Sequence, residues 1–338
     1  MTATFRCLVV RKSAEGAVSR RVEELPVGDL PSGEVLIRVE WSSLNYKDAL
    51  AATGNPGVCK TFPHVPGIDA AGAVVESTAE RFRPGDKVLV TGFDFGAGRW
   101  GGYAEIARVP ADWIVPLPAG LAPRESMIFG TAGFTAGMSL EALEAHEIRP
   151  AAGPILVTGA SGGVGTLAVA LLAKAGYEVE AATGKESSGE LLTRLGAKRI
   201  LSRADVLDTS PRPLLRSRWA GAIDTVGGQI LATLLRSTQP GGCVTACGLT
   251  AGADLPLTVY PFILRGVQFI GIESGFYPLA KRIALWSKLA GPWKPDDLEQ
   301  FVNQTVGLDE LKPPIQAILQ GQITGRTLVQ VAAPDRQS

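Results

Sequence analysis

One stretch in the middle of the chain constrains the fold more than any other. A buried-strand pattern at Ile155–Thr158 runs directly into the glycine-rich segment Gly159–Gly165, and an apolar helical pattern follows through Lys174. Glycines let the chain turn sharply and bring backbone N–H groups close to an anion, while the start of the helix adds its positive dipole. This order predicts a site for the pyrophosphate of a dinucleotide, the alternative being a merely tight turn.

The regions on either side of this loop differ in their patterns. Over the first 120 residues, short β-rich runs alternate with Gly and Pro, which indicates a compact β-barrel or sandwich. These runs are Glu34–Trp41, Ala70–Glu76, Lys87–Thr91, Tyr103–Val109 and Trp113–Pro116. A helical run at Leu279–Leu289 and a β-like segment at Arg326–Val331 are too little for a further domain, so we expect them to return to this N-terminal unit.

From about Ser126 onward, helical and strand patterns alternate. Six strands separated by helices predict an α/β fold with a parallel, doubly wound sheet. The six predicted strands are Ile155–Thr158, Glu178–Thr183, Arg199–Ser202, Ala222–Thr225, Cys243–Cys247 and Val267–Ile272. A length of 338 residues agrees with two domains, since a domain averages about 150 residues.

Charge and cysteine content exclude several classes of protein. Thirty-three Lys and Arg cancel thirty-three Asp and Glu, so no global field attracts nucleic acid or an anionic membrane. The uncharged stretch 150–173 approaches membrane-spanning length, but its glycines and prolines favour a strand, a loop and a helix of a soluble domain. Four scattered cysteines fit a reducing compartment, and we expect the cytoplasm.

The end of the second strand of the sheet bears on the choice of dinucleotide. NAD-binding loops usually have an acid there, about 20 residues after the glycines, to accept the ribose hydroxyls. This chain has Thr183 and Lys185 instead, and Arg203 follows the third strand. Cations favour the 2′-phosphate of NADP; alternatively, they are solvated surface charges. NAD remains an alternative if the strand ends two residues earlier, because Glu180 would then supply the acid at the strand end.

The residues available for chemistry favour hydride transfer without a metal. Only His64 and His146 are present, which cannot build a His-rich metal site. A serine-nucleophile elbow would coincide with the phosphate loop, so a hydrolase is disfavoured. Asp224–Gly228 and Ala246–Leu249 end the fourth and fifth strands, where they line the nicotinamide half or form ordinary turns. A dinucleotide without a metal suits an acceptor that is already polarised, such as a quinone or a C=C bond conjugated to a carbonyl.

Motifs along nearly the whole chain point to one family. They are Ser43–Asp48, Val65–Asp69, Gly101–Glu105, Gly130–Ala136, the glycine loop, Cys247–Leu249, Pro261–Val267 and Gly271–Ser274. In these motifs the chain resembles the zinc-independent branch of the medium-chain dehydrogenase/reductase superfamily, in particular the YhdH/YhfP type of quinone oxidoreductases and acrylyl-CoA reductases. Zinc-dependent relatives carry Gly-His-Glu where this chain has Gly67–Asp69, and a four-cysteine lobe that is missing here, so the resemblance implies no zinc site.

The resemblance implies a GroES-like, β-rich catalytic domain, an inserted Rossmann domain, NADPH as cofactor and a homodimer. We expect the GroES-like domain over residues 1–125, completed by 277–338, and the Rossmann domain over 126–276. The implied cofactor contacts are Asn45 and Thr135 with the nicotinamide ribose or phosphate, Gly162, Gly163 and Val164 with the pyrophosphate, Thr183, Lys185 and Arg203 with the 2′-phosphate, Ser274 with the nicotinamide surroundings, and Arg326 with the cofactor phosphates. The cofactor-binding set is completed by Ser161, Cys247, Gly248, Leu249 and Ile272.

The preferred reaction is reduction of a small activated alkene, with acrylyl-CoA first. The alternatives are a quinone reductase and, from another class, a non-catalytic dinucleotide-binding structural or regulatory protein. Tyr46 is expected to supply the proton or orient a water, unless it is a packed aromatic with a satisfied hydroxyl. Asn45 is expected to fix cofactor or acceptor, and Asp48, expected as an exposed ionised carboxyl, to orient its neighbours. The family's Gly-Glu-x-His loop reads Gly96–Arg99 here, without Glu or His, which bears on the substrate.

Overall fold

The computed structural model describes residues 3–332. Its strands are β1 (Thr4–Lys12), β2 (Val18–Pro26), β3 (Val35–Leu44), β4 (Asp69–Ser77), β5 (Lys87–Thr91), β6 (Ile106–Val109), β7 (Ile114–Pro116), β8 (Ile155–Thr158), β9 (Val179–Ala182), β10 (Arg199–Leu201), β11 (Trp219–Asp224), β12 (Thr238–Ala246), β13 (Gln268–Gly271), β14 (Val302–Val306) and β15 (Arg326–Gln330). Its α-helices are α1 (Tyr46–Ala52), α2 (Pro123–Ala145), α3 (Gly163–Lys174), α4 (Gly189–Arg194), α5 (Arg203–Val206), α6 (Gly228–Ser237), α7 (Tyr260–Arg265), α8 (Leu279–Ala290) and α9 (Lys312–Leu319).

The chain forms two compact units. The first contains the residues up to Thr131, then Gly275–Gly291 and the residues from Phe301 onward; the second contains Ala132–Ser274 and Pro292–Gln300. Residues 292–300 thus belong to the second unit, whereas the sequence analysis placed them in the first. The division near residue 131 falls inside α2, directly after Gly130, whose φ of 51° interrupts the helix.

The first unit is built on a seven-stranded sheet. Six of its strands run in the order β14-β15-β3-β4-β5-β7. Strand β6 pairs with the first half of β3, and β15 with the second half. Strands β1 and β2 form a separate hairpin. Phe5 and the four consecutive residues from Cys7 to Val10 of β1 are buried and join the apolar core of this unit. The predicted GroES-like domain is confirmed. The sequence analysis did not predict the β1-β2 hairpin, because the charged residues of β2 mask its strand pattern.

The second unit holds a six-stranded sheet in the order β10-β9-β8-β11-β12-β13, and every pair in it is parallel. The predicted doubly wound sheet is therefore confirmed. Its order reverses between β8 and β11, which is where such sheets bind their ligands. Strand β12 begins at Thr238, five residues before the predicted start, because Pro240 and two glycines read as a turn.

No helix in the described part of the chain is both long and apolar enough to cross a membrane. The uncharged stretch 150–173 contains β8 and most of α3, as its glycines and prolines indicate.

Candidate functional site

The glycine loop adopts the conformation that a pyrophosphate site needs. Gly159 has φ +56°, and a Cβ there would overlap the Thr225 hydroxyl. Helix α3 begins at Gly163, and a Cβ on Gly165 would lie 2.6 Å from Ala160 Cα, so only glycine lets helix and loop approach this closely. The backbone N–H groups at the start of this twelve-residue helix have no partner within the helix and can donate to a pyrophosphate, so this arrangement indicates a dinucleotide site.

Most of the residues predicted at the 2′-phosphate lie together beyond the ends of β9 and β10. The Thr183 hydroxyl donates to the Ser161 hydroxyl (2.9 Å) and accepts from the Lys185 amide (3.1 Å). A Cβ on Gly184 would lie 2.8 Å from Arg203 Nε, so the exposed guanidinium covers this glycine. Burial lowers the pKa of the half-buried Lys185. An anionic group at this edge would thus meet two cations and two hydroxyls.

Glu180 does not reach this edge. It is the second residue of β9, and Trp219 Nε1 donates to its Oε2 over 2.8 Å. Arg199 Nη1 lies 3.7 Å from its Oε1. The carboxylate is thus held by side chains at the starts of β10 and β11, which removes the argument for NAD that depended on Glu180 at the strand end.

The ends of the fourth and fifth strands are packed against each other. Asp224 is buried and accepts from the Thr158 hydroxyl (2.6 Å) and the Gly227 amide (2.8 Å), and burial raises its pKa. The Cys247 amide donates to Asp224 O over 3.0 Å. A Cβ on Gly248 would lie 2.7 Å from Thr225 C. Asp224 and Cys247 thus stabilise the turns that follow the two strands. Within Asp224–Gly228 and Ala246–Leu249, only Leu249 is largely exposed.

Two residues predicted near the nicotinamide are brought together at the same sheet edge. Thr135 Oγ1 donates to Ser274 Oγ over 3.0 Å. The Ile272 amide donates to Ala246 O over 2.9 Å, which extends the pairing of β12 and β13 to this point. Thr135 and Ser274 thus form one polar position within the second unit.

The first unit contains a buried network around Asn45. Its Nδ2 donates to Asp69 Oδ2 (2.7 Å), and its Oδ1 accepts from Arg326 Nη1 (3.2 Å). Asp69 also accepts from the Ser43 hydroxyl (2.7 Å) and from both the amide and the hydroxyl of Thr131. With a carboxylate on one side and a guanidinium on the other, the amide of Asn45 has one favoured orientation.

The structure places Arg326 inside the first unit, whereas the resemblance implied a contact with cofactor phosphates. Only 2% of the residue is exposed. Its Nε donates to Ile128 O (3.0 Å) and its Nη2 to Ser43 Oγ (2.7 Å), with Asp69 Oδ2 at 3.9 Å. Each of its three nitrogens makes a hydrogen bond within the first unit, so Arg326 stabilises this network.

Asp48 is buried, which corrects the expectation of an exposed carboxyl. It accepts from the Asn45 amide (2.8 Å), the Gly67 amide (3.1 Å) and the Ile68 amide (2.7 Å). Burial and the charge of Asp69 raise the pKa of Asp48 to about 7. The expected orienting role fits these contacts, since Asp48 joins the start of α1 to the chain before β4.

Tyr46 is not the packed aromatic of the alternative interpretation. The residue is 43% exposed, and within residues 3–332 its hydroxyl has no hydrogen-bond partner. It begins α1, directly after Asn45. Its hydroxyl is therefore accessible beside a fixed amide.

The sequence analysis missed Asp69, Ser43 and Thr131 as members of this network. A signal was present, because Asp69 is a single acid in an apolar run from Val65 to Val75, and a buried acid requires partners. Gly130 is part of the same arrangement: a Cβ there would lie 2.8 Å from Ser43 Oγ and would overlap the Asp69 carboxylate.

The described residues contain no group of three His, Cys, Asp or Glu side chains that could hold a metal ion. His64, expected as a packed turn residue, is buried, and its Nε2 lies 3.1 Å from Gly96 O.

Comparisons with known proteins agree with both units. The chain matches the alcohol dehydrogenase GroES-like domain over residues 31–119 and the zinc-binding dehydrogenase family over residues 163–285. Acrylyl-CoA reductase AcuI of Ruegeria pomeroyi is 47% identical, over 97% of this chain and all of the relative. YhfP of Bacillus subtilis, a quinone oxidoreductase by name, is 45% identical over 98% of this chain and all of the relative, and its structure with NAD bound superimposes with a TM-score of 0.94 over 97% of this chain and all of that one.

The crystal structure of the YhdH oxidoreductase from Salmonella enterica in complex with NADP is similar throughout. It is 47% identical, with a TM-score of 0.93 over 97% of this chain and all of that one. The resemblance inferred from the motifs is therefore confirmed: the chain belongs to the AcuI/YhfP type of oxidoreductases within the medium-chain dehydrogenase/reductase family.

Proposed function

We propose that the protein is an NADPH-dependent reductase of a C=C bond conjugated to a thioester carbonyl, with acrylyl-CoA as the favoured substrate. The cofactor rests on one observation: the edge beyond β9 and β10 offers Thr183, Lys185 and Arg203, while Glu180 is held by Trp219. The substrate rests on the similarity to AcuI over almost the whole of both chains.

The residues of the second unit fit NADPH. The glycine loop leaves room that a Cβ would fill, and the hydroxyls and cations beyond β9 and β10 suit a 2′-phosphate. Ser161, Gly162, Gly163 and Val164 would hold the pyrophosphate, and Thr135 and Ser274 the nicotinamide surroundings. When bound, NADPH supplies a hydride.

The residues of the first unit would act on the acceptor. Asn45 would fix the acceptor or the cofactor with an amide that Asp69 and Arg326 hold in one orientation. Tyr46 would donate its hydroxyl proton or orient a water, since that hydroxyl is accessible. Asp48 and Asp69 are positioning residues, because they are buried and act through Asn45.

A panel of acceptors tests the reaction. NADPH oxidation should be faster with acrylyl-CoA than with simple quinones. Tyr46→Phe should lower kcat with acrylyl-CoA by about 10²-fold and leave the affinity for NADPH unchanged, because general acid catalysis contributes about 10²–10⁴-fold. Quinone reduction should change less, since a reduced quinone takes its proton from water.

The matched control is Tyr260→Phe, which removes the hydroxyl of a tyrosine in the second unit. A rate with acrylyl-CoA that is unaffected by Tyr46→Phe, with a deuteride isotope effect showing that chemistry limits the rate, removes Tyr46 from the mechanism. Preference for quinones favours the function by which YhfP is named, and tight NADPH binding without turnover favours a non-catalytic protein.

The 2′-phosphate site predicts selectivity between cofactors. NADPH should bind at least about tenfold more tightly than NADH, which is about 1.4 kcal/mol and within reach of one charge-assisted contact. Arg203→Ala should weaken NADPH binding and spare NADH binding. Quenching of tryptophan fluorescence measures both affinities. Arg212→Ala, another exposed arginine of the same unit, is the control; equal affinities for the two cofactors contradict the assignment.

We also propose a homodimer that forms through β13. This strand pairs with β12 and is the last of its sheet. Beside it α7 presents Ile263 and Leu264, which are 67% and 62% exposed. An edge strand flanked by apolar side chains is suited to pairing with a second copy across a two-fold axis.

Substitution on α7 tests this interface. Ile263→Glu should convert a dimer to a monomer in sedimentation velocity, because it places a charge at the apolar patch. Ile283→Glu changes an exposed isoleucine on α8 and should leave the dimer intact. A wild-type protein that sediments as a monomer at micromolar concentration rules the interface out.

We place the protein in the cytoplasm. Its four cysteines are free, and Cys7, Cys59 and Cys243 are fully buried, which suits a reducing compartment.

A further inference from the structure

A second cationic position lies at the amino ends of the parallel strands, away from the glycine loop. A cavity of about 340 Å³ is lined there by Glu180, Arg199, Arg216, Ser217, Arg218 and Trp219. Arg199 begins β10, whereas Arg203 of the nucleotide edge follows the end of that strand. The cavity and the proposed 2′-phosphate site therefore lie at opposite ends of β10.

The charges lining this cavity do not balance. Three guanidinium groups and one carboxylate line it, and the carboxylate of Asp205 also interacts with Arg199 and Arg218, which leaves one positive charge in excess. The carboxylate of Glu180 is already bound by Trp219 Nε1 (2.8 Å) and lies 3.7 Å from Arg199 Nη1. Like charges in one cavity repel one another, so the position is favourable only for an added anion.

The arginines differ in how firmly they are held. The Arg218 guanidinium lies 4.1 Å from the centre of the Trp219 ring, and its Nη1 donates to Asp205 O over 2.7 Å. Burial lowers the pKa of Arg218, so this cation has lost part of its hydration. Arg216 is exposed, and its side chain forms no hydrogen bond or ion pair with any residue in the range 3–332. One cation is thus fixed and one remains available.

We propose that this cavity is an anion site for the phosphate group of a phosphorylated small molecule. Arg218 is held in place by Trp219 and Asp205, Arg216 has its donors available, and Ser217 also lines the cavity. A phosphate group carries the negative charge that this net positive lining favours, and its oxygens accept from two guanidinium groups at once. Because Arg218 covers the Trp219 ring, recognition rests on the phosphate rather than on the stacking of a base.

Inorganic pyrophosphate serves as the probe, in calorimetric titrations of NADP⁺-saturated protein at constant ionic strength. One pyrophosphate should bind per chain. Arg216→Ala should weaken that binding at least about tenfold, as expected for loss of a charge-assisted contact. Within residues 3–332 the exposed side chain of Arg216 forms no hydrogen bond or ion pair, so this variant should fold normally. Arg212→Ala, an exposed arginine four residues away that does not line the cavity, should bind like wild type.

Two more variants separate this site from the nucleotide edge. In NADP⁺-saturated protein, where the glycine loop and the nucleotide edge are occupied, Arg203→Ala should leave pyrophosphate binding unchanged. Glu180→Gln should tighten binding several-fold, because it removes the carboxylate and keeps an acceptor for Trp219 Nε1. Equal affinity in Arg216→Ala and Arg212→Ala overturns the proposal. So does the absence of pyrophosphate binding to NADP⁺-saturated protein, since the probe then binds only at the nucleotide edge and the glycine loop.

Discussion

Replacing Arg326 with methionine should lower the free energy of unfolding by about 3–5 kcal/mol, because it removes the cation from a buried ionic cluster and leaves the carboxylates unpaired. Methionine keeps much of the length and apolar character of the side chain and removes the charge. Three hydrogen bonds disappear with it, to Ile128 O, Asn45 Oδ1 and Ser43 Oγ, together with the ion pair to Asp69 at 3.9 Å. Urea unfolding followed by circular dichroism and tryptophan fluorescence measures the loss.

The size of this effect should depend on pH. The pKa of Asp48 is raised to about 7, from an ordinary value of 3.8. The folded protein therefore binds this proton more tightly than the unfolded chain does, so the Asp48 contribution to stability falls as pH rises from about 4 to about 7. Without Arg326 the pKa of Asp48 should rise further. The destabilisation by Arg326→Met should accordingly be larger at pH 8 than at pH 5.5.

The control is Arg81→Met. Arg81 also forms an ion pair, at 2.7 Å from Asp112, but both side chains are exposed, and such pairs contribute only about 0–1 kcal/mol. If Arg326→Met is no more destabilising than Arg81→Met, the cluster is not the stabilising feature described here.

The sequence predicted the second unit more completely than the first. Strand β8 and the end of α3 at Lys174 were placed to the residue, because strand, turn and helix signals follow one another within twenty residues, whereas α3 begins at Gly163, inside the glycine-rich segment. The parallel sheet follows from local periodicity in the same way. Thr183, Lys185 and Arg203 could be expected at one edge because consecutive parallel strands end on the same side of a sheet.

The network around Asn45 could not be predicted in this way. Arg326 and Asn45 are 281 residues apart in sequence, and no local pattern reports that they meet. Charged residues are also expected at the surface, which is why Asp48 was taken as exposed, whereas the phosphate contact of Arg326 was implied by the family resemblance. Their burial depends on partners that only the tertiary structure supplies, such as the two amides of Gly67 and Ile68 that donate to Asp48.

A methyl group at position 165 should have the largest effect on nucleotide binding. In Gly165→Ala the new Cβ would lie 2.6 Å from Ala160 Cα and 2.8 Å from Ala160 C, and it would overlap Gly159 O. These are backbone atoms of the glycine loop, so no side chain can rotate away and α3 or the loop must move. We expect the affinity for NADPH to fall by at least about 100-fold, which is about 2.7 kcal/mol or roughly two charge-assisted contacts of the pyrophosphate.

Gly189→Ala is the matched control for this substitution. Gly189 begins α4 with helical φ and ψ, and a Cβ there would meet nothing within 4 Å. Alanine should therefore fit without strain and stabilise the unit by about 0.4–1 kcal/mol, because it restricts the unfolded chain. Titration of both variants with NADPH and thermal unfolding without cofactor separate loss of the loop from general loss of structure. If Gly165→Ala binds NADPH as tightly as Gly189→Ala does, the close approach of α3 to the loop is not what creates the pyrophosphate site.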